Sequence, residues 1–242
     1  MLSDQMAAVL ALLGGDGAEC PGGLVPAAAG AAASAMGVDG ICAGVGTGPE
    51  GVVLAWGGHE ASAALDDAQF TLGEGPSWQA LAGGSPVLVP DLSTSSPRWP
   101  AFVSAALGLG VGAVFAFPLQ IGVISVGVLL AHRAAAGPLS IEQLADALAL
   151  ADAVTVLLLH CEPATQVPGQ SVRKPPRPGW EQPATHRAEV HQATGVLSVQ
   201  LSVPLAEALV RLRAHAYATD RPISEVAADV VAHRLYLEDS TR

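Results

Sequence analysis

The apolar residues of this chain follow two different periods. Between residues 24 and 160, short continuous or alternating apolar runs are interleaved with longer helical stretches. The last fifty residues are helical throughout. In the first region the pattern predicts a helix over 24–36, then strands at 38–45 and 51–56 joined by the turn-rich 46–50. A helical stretch at 61–69 follows, then a loop, a strand at 86–89 and a helix at 99–107. Strands at 111–119 and 123–131 and a long helix at 140–160 complete the region. Strands bunched into hairpins, with helices before and after, predict an antiparallel sheet in an α+β fold rather than a doubly wound one.

The tail carries three amphipathic stripes. Val190, Ala193, Leu197 and Leu201 form one; Leu205, Ala208, Leu209, Leu212 and Ala216 a second; Ile223, Val226, Ala227, Val230 and Leu235 a third. Each has the i, i+3, i+4, i+7 spacing of a helix face turned to a core. Pro204 and Pro222 stand where the second and third helices should begin, since proline's missing N–H costs nothing there. Glu207 and Glu225 fall in or near the first turns, where negative charge suits the helix dipole. A separate all-α three-helix bundle is the economical packing, with little room for a catalytic cleft.

Between the two regions, 162–183 holds six prolines and few apolar residues, which predicts a semi-rigid, partly extended linker. Charge sharpens the division. Residues 1–160 carry thirteen acidic side chains against Arg98 and Arg133, a net of −11, while 161–184 is net +1 and 185–242 net −1. An acidic front half repels nucleic acid, so any polyanion must meet the tail, through local arginines. Hydrophobic content is 50%, largely alanine and glycine, with no apolar run long enough for a membrane span. The N-terminus lacks the basic-then-apolar order of a secretory signal, so a cytoplasmic protein is expected.

Several motifs suggest chemistry and are better read as structure. Gly46-Thr47-Gly48-Pro49-Glu50-Gly51 fits G-x-G-x-x-G, but a strand pattern follows it where a phosphate loop needs a helix N-terminus. Asp66-Asp67 lacks the lysine that phosphoryl chemistry requires, because the one lysine, Lys174, lies in the linker. Cys20, Cys42 and Cys161 are far apart and show no metal spacing, and His160-Cys161 has no partner at ligand spacing. No catalytic residue, metal or cofactor is predicted.

Two resemblances carry the functional expectation. Thr71-Leu72-Gly73-Glu74-Gly75-Pro76, Pro86-Val87-Leu88-Val89-Pro90-Asp91-Leu92, Trp99-Pro100, Phe115-Ala116-Phe117-Pro118-Leu119 and Gly127-Val128-Leu129 together resemble a GAF domain. That likeness implies a sheet of five or six strands, a pocket for an unnamed small molecule near Trp78, Asp91, Trp99 and Phe115, and a homodimer formed through flanking helices. Arg187, Val190, the run Gln192-Ala193-Thr194-Gly195-Val196-Leu197, Ala206-Glu207-Ala208, Leu212-Arg213, Arg221-Pro222 and Val226-Ala227 resemble an ANTAR domain. Thr194 stands where many members carry a lysine. The family implies binding to RNA stem-loops and transcription antitermination. On the tail, Arg187, His191, Gln192, Thr194, Gly195, Arg211, Arg213 and Arg221 are the candidate RNA contacts, with arginine for phosphates and splayed bases and the others for base edges. The expected organisation is an N-terminal helix or extension at 1–23, a GAF sensor at 24–160, a linker at 161–184 and an ANTAR bundle at 185–238. The competing expectation is a sensor or protein-interaction module whose tail is a dimer or partner interface without RNA binding.

Overall fold

The computed structural model describes residues 2–14, 26–46, 53–57, 59–95, 97–160, 181–219 and 221–237. Most of the predicted linker, the glycine-rich 47–52 loop, Cys20 and Cys161 lie outside these residues. The chain divides into two compact units, and each is described by itself.

Five strands form the sheet of the N-terminal unit: β1 (Gly40–Val45), β2 (Val53–Gly57), β3 (Val87–Val89), β4 (Ala113–Ile121) and β5 (Ile124–Arg133). Their order is β2-β1-β5-β4-β3, and every neighbouring pair is antiparallel. β4 and β5 turn back on each other through Gly122-Val123, with Ile121 opposite Ile124 and Gly122 at φ +58°. A positive φ at a hairpin turn is accessible to glycine without steric cost.

Period-two alternation sends Ile41, Ala43, Ala113, Phe115, Phe117, Leu119, Leu129 and Ala131 to one face. There they pack with Met6, Val9 and Leu13 of α1 (Asp4–Leu13), Ala29, Ala32 and Ala33 of α2 (Pro26–Ala35), and Ala147, Leu150 and Val154 of α6 (Ile141–His160). Asp146 of α6, fully buried, ties down the start of α1. Its carboxylate accepts from the Ser3 N–H at 2.9 Å and the Ser3 hydroxyl at 2.5 Å, while Ser3 Oγ caps the helix by accepting from Met6 N–H.

The opposite face is covered by α3 (Glu60–Leu72) and α4 (Pro76–Gly83), followed by a 3-10 turn at Leu92–Ser95 and α5 (Pro100–Gly108). The expected loop after residue 69 therefore contains a helix, α4, too short for periodicity to reveal. Its signals are local: Pro76 at the first position, and Gly84 in the left-handed region at the end. α5 has no side-chain cap of its own, since its N-cap is Trp99. Glu74 supplies one from a distance, with Oε1 accepting from the N–H groups of Ala101 and Phe102 at 2.8 and 2.9 Å. Glu74→Ala is expected to lower stability by about 1–2 kcal/mol in urea denaturation, and Glu74→Gln, which keeps the acceptor, by less.

The second unit is a bundle of three mutually packed helices, α7 (Glu181–Leu201), α8 (Leu205–Ala218) and α9 (Ile223–Val231), with α7 and α8 turning through 106° at their junction. α7 starts at Glu181, inside the stretch that proline content assigned to the linker. Pro183 is the third residue of the helix, where its N–H would have no intrahelical partner. Among the described residues no single helix is long and apolar enough to cross a membrane.

Candidate nucleic-acid interface

The bundle core comes from the sequence stripes. Val190, Ala193, Leu197, Ala208, Leu209, Leu212, Ala216, Ile223, Val226, Ala227 and Val230 are all buried. Leu201 and Leu235 are half-buried, and Leu205 is exposed because it is the first residue of α8 and precedes the turn that meets the core. Pro204 and Pro222 are the N-caps of α8 and α9, as their positions predict.

With Val190, Ala193 and Leu197 inward, helical geometry turns Ala188, Gln192, Gly195 and Val199 outward as one row. Gln192 is exposed, Val199 is 81% exposed, and a Cβ added to Gly195 would meet nothing within 4 Å. Among the described residues no neighbouring helix explains this glycine. His191, half-buried, flanks the row, and Arg187 lies one turn before it in α7, its side chain outside the described residues. Thr194 belongs to the other side. It is buried, and its hydroxyl donates to the Val190 carbonyl at 2.7 Å, the internal bond by which a threonine satisfies itself inside a helix. It therefore leaves the set of RNA contacts, and its i+4 spacing from Val190 already placed it on the core stripe.

The arginines do not converge. Arg211 and Arg213 flank buried Leu212 and so project from opposite sides of α8. Arg211 donates to Glu207 at 2.7 Å, a surface pair of at most about 1 kcal/mol that RNA could exchange. Arg213 is half-buried, and burial lowers its guanidinium to about 10, which leaves it charged at neutral pH. Arg221 donates to Asp229 at 2.7 Å, with Glu225 at 3.8 Å. Hydrogen bonds from Arg221 and then Arg234 hold the Asp229 carboxyl below its ordinary range.

Of the residues expected around a sensor pocket, Trp78, Trp99 and Asp91 lie on α4, at the start of α5 and just before the 3-10 turn. Trp78, on α4, donates its indole N–H to the Gln69 carbonyl at 2.8 Å. Trp99 is buried, edge-on to Phe102 with centroids 6.5 Å apart, and Arg98 sits over its ring at 4.5 Å. Asp91 accepts from the N–H and hydroxyl of Ser93 at 3.0 and 2.6 Å, an Asx turn that starts the 3-10 segment. Phe115 is not with them. It packs in the core with α1, α2 and α6, and buried Ala80 of α4 is absent from that cluster.

Residues 181–231 match the family model for the ANTAR domain. The three-helix unit is an ANTAR domain. Three solved structures are similar to the chain over 65% of its length. They are the GAF domain of a phosphoenolpyruvate-protein phosphotransferase (ptsP) from Coxiella burnetii, at 17% identity, 96% of that chain and TM-score 0.48; the GAF domain of an Acinetobacter phosphoenolpyruvate-protein phosphotransferase, at 13%, 92% and 0.49; and the A. Aeolicus nlh2 GAF domain in an inactive state, at 14%, 94% and 0.46. No curated protein matches the chain.

Within the ANTAR domain, then, the sequence candidates separate by surface. Gln192 and Gly195 share the outward side of α7 with His191 at its flank, whereas the backbone position of Arg187, seven residues before Thr194, falls on the Thr194 side. Thr194 is core, and Arg211 and Arg221 are occupied by carboxylates. Two residues with exposed rings beyond the end of α9, His233 and Tyr236, were not among the candidates, because neither is a member of an apolar stripe.

Proposed function

We propose that this protein is a regulator in which a ligand- or signal-sensing GAF module controls an ANTAR domain that binds RNA stem-loops and acts by transcription antitermination. Such a regulator acts in the cytoplasm. The observation that carries the reading is the outward row of α7 in an ANTAR domain: a hydrogen-bonding Gln192 beside an unobstructed Gly195, with Arg187 one turn before the flanking His191. The antiparallel sheet accommodates the sensor reading, with a ligand lying on the α3–α5 side near Trp78 and Trp99. Enrichment of hairpins from a random-loop RNA pool by the purified protein tests the assignment. The expected result is enriched hairpins whose binding is lost in an Arg187→Ala, Gln192→Ala double variant; no enrichment, or binding indifferent to that variant, contradicts it.

Gly195→Ala separates folding from binding. A mid-helix alanine with free space is expected to raise stability by about 0.5–1 kcal/mol in thermal melts, while the added methyl weakens RNA binding.

The homodimer belongs to the same proposal. Along α6, Ile141, Leu148, Val156 and Leu159 fall on one exposed side of a twenty-residue helix, interrupted by Asp152 alone among charged residues. A second copy of the chain would cover that stripe. Leu148→Arg is expected to halve the mass measured by light scattering if it does.

A second reading, the bundle as a protein interface without RNA affinity, is favoured by the core position of Thr194 and by the carboxylates on Arg211 and Arg221. Salt titration distinguishes the two: phosphate contacts release counterions, so RNA affinity falls steeply with salt, whereas an apolar interface is nearly indifferent.

A further inference from the structure

The end of α9 is a turn built around a non-glycine residue in the left-handed region. His233 has φ +54°, its N–H donates to the Val230 carbonyl at 3.0 Å, and the Arg234 N–H donates to the Asp229 carbonyl at 2.8 Å. These two bonds close a Schellman motif, whose left-handed position is usually glycine because a Cβ is strained there. The turn at the end of α7 likewise carries Ser202 at φ +53°, so strain alone does not single out His233. What distinguishes it is what the turn displays. The imidazole lies nearly parallel to the Tyr236 ring, 25° between planes and 6.4 Å between centroids. Both rings are exposed, Tyr236 by 63%.

Beside them Arg234 is held in place. Its Nε and Nη2 donate to Asp229 Oδ1 at 2.9 and 2.8 Å, Arg221 takes the other carboxylate oxygen, and the Arg234 side chain stays 64% exposed with Nη1 unused. The result is a fixed guanidinium in the same turn as two offset, exposed aromatic planes. Flat π surfaces with an adjacent guanidinium suit an unpaired nucleobase, which stacks on aromatic or guanidinium planes irrespective of its identity.

We infer that His233 and Tyr236 form a stacking platform for an unpaired base of the bound RNA, with Arg234 positioned to meet the flanking phosphate or the base plane. This rests on the reading of the bundle as an RNA-binding unit and adds a contact site at the far end of α9, separate from the α7 row.

The test uses the full-length protein and the hairpin enriched from the random-loop pool. Tyr236→Ala is expected to raise Kd about tenfold, and Tyr236→Phe, which keeps the ring, by no more than about twofold. His233→Gly relieves the left-handed position, so it should melt at the same or a higher temperature while still weakening binding; a purely structural histidine would not give that combination. With 5-bromouridine in the loop, ultraviolet crosslinks should map to Tyr236. Tyr236→Ala binding within twofold of wild type, or crosslinks confined to α7, overturns the platform while leaving RNA binding by the bundle intact. A Tyr236→Ala variant that changes solution mass with RNA affinity preserved makes the patch a protein contact and also overturns it. If the wild-type protein enriches no hairpin, the RNA reading itself fails and the platform with it.

Discussion

Gly127→Ala is expected to lower the unfolding free energy of the sheet unit by about 3 kcal/mol or more in urea denaturation. Gly127 sits in β5 between Val45 of β1 and Leu119 of β4. A Cβ built there would overlap the Gly44 carbonyl oxygen and lie 3.1 Å from Gly44 C and 3.2 Å from Val45 Cα. All three atoms are backbone, so no side chain can swing away. Gly44 also adjoins the register shift in the β1–β2 pairing, and opening the ladder to admit a methyl group would disturb two strand pairs in the middle of the sheet. Gly83→Ala is the matched control: it ends α4 with nothing within 4 Å of the added Cβ and should be close to neutral. A Gly127→Ala protein that melts like wild type would mean that the two strands sit farther apart than described.

Position by position, the sequence was legible where burial repeats with a fixed period. The strands at 38–45, 111–119 and 123–131 differ at their boundaries from the observed ones by two residues or so, because each period reports one face turned to one core; the tail stripes find all three helices, but α7 starts nine residues before Val190 and α9 ends four before Leu235. Features set by single local interactions were not legible. α4 is eight residues long and held by Gly75, Pro76 and the bond from Ser77 N–H to Gln69 Oε1, so no repeating pattern marks it. Phe115 was placed with the pocket residues because an aromatic in a strand has two possible faces, and only the register with β5 assigns it to the α1–α2–α6 core. Thr194 shows the converse error. Its spacing from Val190 indicated the core, but family position drew attention to its chemistry. His233 and Tyr236 stood outside every stripe, and only backbone geometry brings their rings together.

A buried histidine makes the sheet unit sensitive to mild acid. His132 of β5 is buried, opposite Gly40 of β1, with Nε2 2.9 Å from Ser62 Oγ and, among the described residues, no hydrogen-bond partner on Nδ1. His59, which precedes α3, lies edge-on at 5.2 Å between centroids, its own Nδ1 accepting from Ala61 N–H. A Cβ at Gly40 would come within 2.6 Å of His132 Nε2 and 2.7 Å of Ser62 Oγ, so the space is already full. Burial lowers His132 from 6.5 to about 4, with His59 adding to the shift and the Asp39 carboxylate opposing it. Charging the ring would leave a buried N–H on Nδ1 without an acceptor. The folded state therefore binds its proton only near pH 4, whereas the unfolded chain binds one near 6.5. Between those values the unfolded state holds more protons, so stability rises with pH across the window and is lost as pH falls through it, by at most about 3 kcal/mol for this group. Carboxylates titrate over part of the same range, which makes the difference between wild type and a His132→Gln variant the informative quantity. Urea unfolding at pH 7, 5.5 and 4.5 should show the wild type losing stability faster than the variant, with the gap narrowing toward low pH. Parallel losses in the two proteins would show that the ring reaches a proton acceptor or solvent in the folded state, and the acid response would then belong to the carboxylates.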